Sequence, residues 1–374
     1  YFRAKELMNL KNKTQVFMFE FSGLTDDKEL TPFLFVLFLF IYIVSICGNS
    51  GMMTIVYISP SLHTPMYYFL SYLSMVDLFY SSVIAPKMLS DLLSDKKLIT
   101  FIGCALQFYF FSAMIGTELL VLSIMAYDRY VAICRPLHYI LIMTKKKCLS
   151  LVLLTLSMGF LHSVAQTMSL FSLEYCKSNF IDHFYCDIPP LVRLSCSETR
   201  TCTIVTLFFV CLFTISSTMT ILVSYTLIIS SILRINSVAG RRKAFSTCSS
   251  HLTCASIFYG TIYLNYLTPS SSSHKKQEKV FSVLYAVVTP MLNPLIYSLR
   301  NQEVKRAIMQ CLCLQSWDDG NGSYLTQPPN SNVLLIELSM VDLFYSSVIT
   351  PKMLSDLLSH SWVALFTSTS FVQW

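Results

Sequence analysis

Charge is scarce in this chain. Only 13% of its 374 residues are Asp, Glu, Lys or Arg, against 54% hydrophobic ones. Soluble domains carry about 25% charged residues, so the composition excludes a water-soluble fold and points to a membrane protein. A catalytic constellation is also lacking. There is no nucleophile–base set, no phosphate-binding glycine loop and no metal-ligand cluster, so an enzyme is not expected. The net charge of +6 does not imply nucleic acid, because the basic residues sit in short clusters between apolar runs, as beside a cytoplasmic leaflet. Residues 1–30 lack the compact apolar core and small-residue cleavage site of a secretory signal. The first long apolar run is therefore expected to direct insertion. Met8 is the expected start, with residues 1–7 as upstream sequence.

What is abundant is long apolar runs. A bilayer core about 30 Å thick needs roughly 20 apolar residues in a helix. Seven candidate spans meet this, at about 32–58, 65–89, 101–127, 147–171, 202–232, 245–268 and 280–299. Several contain Ser, Thr, Asn or Pro, as in helices that pack on one another rather than stand alone in lipid. The fold class read from these runs is an all-α membrane protein, a seven-transmembrane helix bundle. Residues 1–31 form its N-terminus and 32–300 the bundle domain. A short amphipathic helix is expected over 301–313, then an atypical tail over 314–374.

Loop charge sets the orientation. The 131–147 connection carries Arg135, Lys145, Lys146 and Lys147 without an acid, and 233–243 carries Arg234, Arg241, Arg242 and Lys243 without one. The other side mixes signs, as in Lys96 with Asp95 and Lys177 with Glu174. The acid-free loops are then cytoplasmic and the N-terminus extracellular. There Asn12-Lys13-Thr14 is a glycosylation acceptor. Cys104, Cys176, Cys186 and Cys196 all fall on the outer side, which in an oxidising compartment suggests two disulfides, with three possible pairings.

Polar residues inside the spans carry the functional signal. Asp77 lies in the second span and Glu118 in the third. Gly48-Asn49 lies in the first, and Asn293-Pro294 in the seventh. MAYDRYVAIC, 125–134, ends the third span. Two carboxylates in one bundle repel, so one takes up a proton or a cation sits between them. His183 and Cys186 in HFYCD could hold a metal, but Cys186 is the better candidate for a disulfide.

Five motifs in order bring a resemblance: LHTPMYYFL (62–70), LSMVDLFYSSVIAPKML (73–89), MAYDRYVAICRPLHY (125–139), KAFSTCSSHL (243–252) and PMLNPLIYSLRN (290–301). Over about residues 8–313 the chain resembles a rhodopsin-like G-protein-coupled receptor, and within that group an olfactory receptor. Tyr68 departs from the commoner Phe. The resemblance implies the disulfides Cys104–Cys186 and Cys176–Cys196. It implies that Arg129, restrained at rest by Asp128 and followed by Tyr130, engages a G protein. Tyr225, Tyr259, Asn293, Pro294 and Tyr297 belong to the same switching machinery, and His251 serves packing or state switching. Asp77 and Glu118 resemble an internal sodium site, the one cofactor implied. By the same alignment Phe111, Ser112, Ile115, Phe209, Ile262 and Tyr266 line an outer-half pocket. A mostly apolar cavity suits a small volatile ligand, with Ser112 or Tyr266 orienting it. The implied partners are an odorant, the stimulatory G protein of olfactory neurons, which raises cyclic AMP, and the lipid bilayer of the plasma membrane.

The tail repeats part of the bundle. Residues 338–359 match 73–94 at 21 of 22 positions, with Thr350 in place of Ala85. A second copy of one helix, without its neighbours, is expected to be passenger sequence from a receptor fusion or a gene-model error. A membrane-inserted eighth segment is the functional alternative. The rival classes are a seven-helix channel or transporter, since intramembrane acids can mark ion pathways, and a non-functional fusion product. No inverted repeat supports a transporter.

Overall fold

A computed structural model describes residues 17–25, 27–234, 236–267 and 275–318. It does not describe the side chains at 239, 240, 242, 243, 246, 247, 265–267, 275–277, 300 and 312–318. The chain divides into two units, Tyr1–Trp317 and Asp318–Trp374. Asn12 and the repeat at 338–359 both lie outside the described residues.

Among the described residues seven long helices follow in order: α1 (Leu30–Ile58), α2 (Pro65–Leu93), α3 (Phe101–Cys134), α4 (Lys145–Phe171), α5 (Arg200–Leu233), α6 (Val238–Leu267) and α7. The last runs Lys275–Val283, through a π-helical turn at Leu284–Val288, to Thr289–Arg300. A π-turn at Cys211–Ile215 likewise interrupts α5. Six of these, all but α6, are long and apolar enough to cross a membrane. α8 (Gln302–Asp318) follows.

The helices begin where the sequence supplies caps. Thr100 Oγ1 accepts from Gly103 N at 3.0 Å to start α3. Thr144 Oγ1 accepts from Lys147 N at 3.3 Å to start α4. Pro65 opens α2, where its missing N–H costs nothing. Several bounds differ from the sequence reading, α2 running on to Leu93 and α7 beginning at Lys275 among them. α3 extends to Cys134, and α6 begins at Val238 because the basic run 241–243 contains no breaker. α8 continues past 313 for the same reason, as QCLCLQSWD holds neither Gly nor Pro. The all-α expectation also missed a small sheet. β1 (Met18–Phe21) pairs antiparallel with β2 (Leu98–Thr100) and parallel with β3 (Phe180–Ile181). This sheet marks the cap end of the bundle.

Burial sorts the helices. In their most apolar stretches α2 and α3 are 72% buried, while α1 and α5 are 22% buried. α2 and α3 therefore form the centre. The outer helices show bare apolar faces, such as Phe33, Val36 and Phe40 on α1, or Ile204, Leu207 and Phe208 on α5. Such surfaces are stable only against lipid.

Proline in α7 is accommodated by α1. Pro294 lacks an N–H, so the carbonyl of Pro290 loses its helical partner. Asn49 Nδ2 donates to that carbonyl at 2.9 Å, and to Ser45 O at 2.9 Å. Gly48 makes this approach possible, since a Cβ there would lie 2.9 Å from Pro294 Cγ.

Candidate functional site

Three layers of the bundle hold the residues singled out by sequence. In the middle layer, Asn293 on α7 donates its amide to Asp77 Oδ2 at 3.0 Å, Asp77 Oδ1 at 3.3 Å and Glu118 Oε1 at 3.4 Å. Both carboxylates are fully buried. One amide has two hydrogens for these three oxygens, and Glu118 Oε2 has no hydrogen-bond partner. This under-satisfied, all-oxygen set on α2 and α3 fits a small hard cation.

At the end opposite the cap, Asp128 Oδ1 accepts from the Tyr139 hydroxyl at 2.9 Å, while Asp128 Oδ2 and Arg129 Nε have no hydrogen-bond partner. Asp128 is thus held by the loop after α3, a partner that sequence reading missed. Burial, then the nearby Asp128, raises the pKa of the Tyr139 hydroxyl. Tyr130 is half-buried one residue beyond Arg129. His251 is fully buried and joins three helices. Its Nε2 lies 3.0 Å from Leu122 O on α3, and its Nδ1 lies 2.7 Å from the Tyr225 hydroxyl on α5. A carbonyl accepts only, so Nε2 carries the proton and Nδ1 accepts from Tyr225. The two rings stack at 5.8 Å. Tyr259 on α6 donates to Leu119 O of α3 at 3.1 Å, and Tyr297 is fully buried on α7.

At the cap end, disulfides join Cys104 to Cys186 and Cys176 to Cys196. Cys186 is therefore not a free thiolate, which removes the metal reading of HFYCD. Among the described residues no group of three His, Cys, Asp or Glu could hold a metal ion. Gln107 Oε1 on α3 accepts from Cys186 N at 3.1 Å, fixing the same loop a second time. Beneath it Phe111 stacks on Tyr80 at 5.1 Å and meets Tyr185 of the loop edge-on at 5.1 Å. The Tyr185 and Tyr285 hydroxyls lie within hydrogen-bond reach of each other and of Asp187 Oδ2, at 3.0 Å and 3.3 Å from that oxygen, with two protons shared among the three contacts. Asp187 Oδ1 caps the seven-residue helix Ile188–Leu194 by accepting from Ile188 N at 2.8 Å. Burial pushes the Asp187 pKa up to about 6, against these hydrogen bonds. His183 is buried between Phe184 and Tyr185 with both ring nitrogens unpartnered. Burial, then Lys279, lowers its pKa to about 3.

The predicted pocket residues divide. Phe111 is buried beneath the loop and Ile262 is buried on α6. Ser112 turns to α4, where its hydroxyl donates to Gln166 Oε1 at 3.1 Å. Phe209 meets the His162 ring edge-on at 5.3 Å, and Ile115 packs half-buried against the core. The Tyr266 side chain lies outside the described residues. An apolar groove formed by Ile204, Leu207, Phe208, Cys211, Leu212, Ile215 and Ser216 is on the outer face of α5 and contains none of the six. Sequence reading missed Gln166, Tyr185, Tyr285 and the link from α2 to α8 through Tyr67, whose hydroxyl donates to Glu303 at 2.7 Å. Their signal was weak: single polar or aromatic residues whose partners lie far off in sequence.

Comparison with known proteins fits this arrangement. The crystal structure of squid rhodopsin superposes with a TM-score of 0.59 at 16% identity, covering 79% of this chain and 89% of that one. This identifies the fold as the seven-helix bundle of that structure. Mouse olfactory receptor 5AR1 is 51% identical over 306 residues, or 82% of this chain and 98% of its own. Human olfactory receptor 5AR1 is 50% identical over 306 residues, with the same coverage. These relatives are receptors, not enzymes. The family model described as "Olfactory receptor" matches residues 38–315, and the chain belongs to that family.

Proposed function

We propose that the chain is an odorant receptor of the plasma membrane, with the cap end outside, which activates a stimulatory G protein and raises cyclic AMP. The observation that carries this reading is the match to mouse olfactory receptor 5AR1 along 98% of that protein's length. The ligand class is a small volatile molecule, held in the cap half of the bundle near Phe111 and Ile262. Burial of its carbons supplies most of the affinity, at about 25 cal/mol per Å². Binding shifts a pre-existing equilibrium toward a state in which α6 leaves α3. The Tyr225–His251–Leu122 bridge and the Tyr259–Leu119 bond oppose that movement. Arg129 then meets the G protein, flanked by the basic loops after α3 and α5.

Asp77 and Glu118 are the residues that would hold a sodium ion. A sodium ion held there would offset one of the two carboxylate charges and tie α2 to α3, favouring the resting state. Its test is thermal stability in sodium against an equal concentration of a bulky organic cation. Higher stability in sodium, lost in Glu118→Gln, supports the site; equal stability excludes it.

The receptor reading is tested in cells with a cyclic AMP reporter and a broad odorant panel. Residues 1–374 and 8–315 are compared for surface display and response. Equal responses make the tail a passenger. A response from 8–315 alone identifies a sound receptor spoiled by its tail. A conductance without cyclic AMP would favour the channel reading.

A further inference from the structure

The corner between α3 and α4 turns one face to the bundle and one away from it. It runs through a 3-10 turn at Pro136–His138 and a single helical turn at Tyr139–Ile142. The inner face is pinned. The Tyr139 hydroxyl donates to Asp128 Oδ1 at 2.9 Å, and Met143 is buried. On the other face Leu137, Ile140 and Leu141, three and four residues apart, are 90%, 82% and 75% exposed. Thr144 then caps α4, and Lys145, Lys146 and Lys147 follow, all exposed. Among the described residues no acid pairs with their ammonium groups. Three neighbouring cations repel one another unless an anion lies among them.

The place of the lysines says what the anion belongs to. Lys146 heads a row with Leu149 and Leu153, three and seven residues on. That row continues the bare apolar face of α4, where Leu149, Leu153, Leu154 and Leu161 are exposed. Such a face is stable only against acyl chains. The lysines therefore stand where those chains end, at headgroup level. A lipid is the partner that meets the row and the lysines at once.

We infer that the α3–α4 corner holds an anionic lipid of the cytoplasmic leaflet, with its headgroup on Lys145, Lys146 and Lys147 and its chains along Leu149 and Leu153. Three cations on consecutive residues match a headgroup with several phosphates rather than one. Leu137, Ile140 and Leu141 enter the leaflet beside it and hold the corner at the interface. The choice of leaflet rests on the proposed orientation; the binding does not.

Purified receptor in phosphatidylcholine nanodiscs is illuminated with phosphatidylinositol bisphosphate that carries a photoreactive acyl chain, and the labelled peptide is mapped. Label is expected on α4 at 149–154. Unlabelled phosphatidylinositol bisphosphate should compete at least about tenfold better than phosphatidylserine. Lys145→Gln, Lys146→Gln and Lys147→Gln together should weaken labelling about a hundredfold, at roughly fivefold for each lysine. Arg at the same three positions should keep it, which separates lost charge from lost fold. Ile140→Ser with Leu141→Ser should weaken it several-fold, and Lys305→Gln with Arg306→Gln on α8 should leave it unchanged. Unchanged labelling in the Gln triple, label only on other helices, or equal competition by phosphatidylserine would overturn the proposal. The leaflet is read separately in whole cells with a membrane-impermeant thiol reagent. Labelling of Asn179→Cys but not of Leu137→Cys puts the corner in the cytoplasm. The opposite pattern would overturn the orientation and move the lipid to the other leaflet.

Discussion

Acidification should act in opposite directions on two residues of the cap. Asp187 has its pKa raised from 3.8 to about 6, mainly by burial. Its protonated form is favoured in the fold, so its contribution is fully present below 3.8 and lost as pH rises through about 6. The whole range is worth about 3 kcal/mol at 1.36 kcal/mol for each pH unit. His183 has its pKa lowered from 6.5 to about 3, by burial and then by Lys279 and Arg193, against Asp182. Its contribution is complete above 6.5 and lost as pH falls toward about 3, with a range of about 5 kcal/mol. Between pH 4 and 6 the two slopes nearly cancel. Thermal unfolding of purified receptor over pH 4 to 7.5 separates them. The parent should gain on Asp187→Asn by about 3 kcal/mol as pH falls from 7 to 4. It should lose about 3 kcal/mol to His183→Phe from pH 6.5 to 4. Differences that stay flat with pH in both variants would refute the burial argument for these side chains.

Other substitutions test other layers. Gly159→Ala places a Cβ against Thr117 Oγ1 and 2.6 Å from Ala113 O, where α3 and α4 meet; it should cost about 1–3 kcal/mol and lower surface display. Tyr225→Phe removes the donor to His251 Nδ1 and leaves the packing intact; it should raise basal cyclic AMP, and an unchanged baseline would show that the bridge does not restrain α6. Tyr139→Phe leaves a buried Asp128 oxygen without its donor, at about 1–3 kcal/mol, and should likewise raise basal signalling at equal surface expression. Ser112→Ala should shift the concentration of an activating odorant for half-maximal response by less than about tenfold, because Ser112 already donates to Gln166; a larger shift would place its hydroxyl on the ligand.

The helices were legible because membrane spans need long apolar runs, and little else in a chain produces them. The buried polar residues were legible for the same reason: Asn49, Asp77, Glu118 and Asn293 stand out in lipid, and all four are inside the bundle. Facing was not legible. A helix with lipid on one side and core on the other is apolar on both, so periodicity does not show that Ser112 turns toward α4. The cap was not legible either. Tyr285 reaches Asp187 across 98 residues and Ser112 reaches Gln166 across 54, and no local pattern encodes such pairs. The resemblance implies that Asp128 restrains Arg129, and the fold adds Tyr139, brought to Asp128 from the loop.

The most direct test of the central claim is odorant-stimulated nucleotide exchange on a purified stimulatory G protein, using membranes that contain the parent or Arg129→Ala at matched levels. The account predicts that some odorant of a broad panel accelerates exchange with the parent and none does with the variant. Acceleration that survives Arg129→Ala would contradict it.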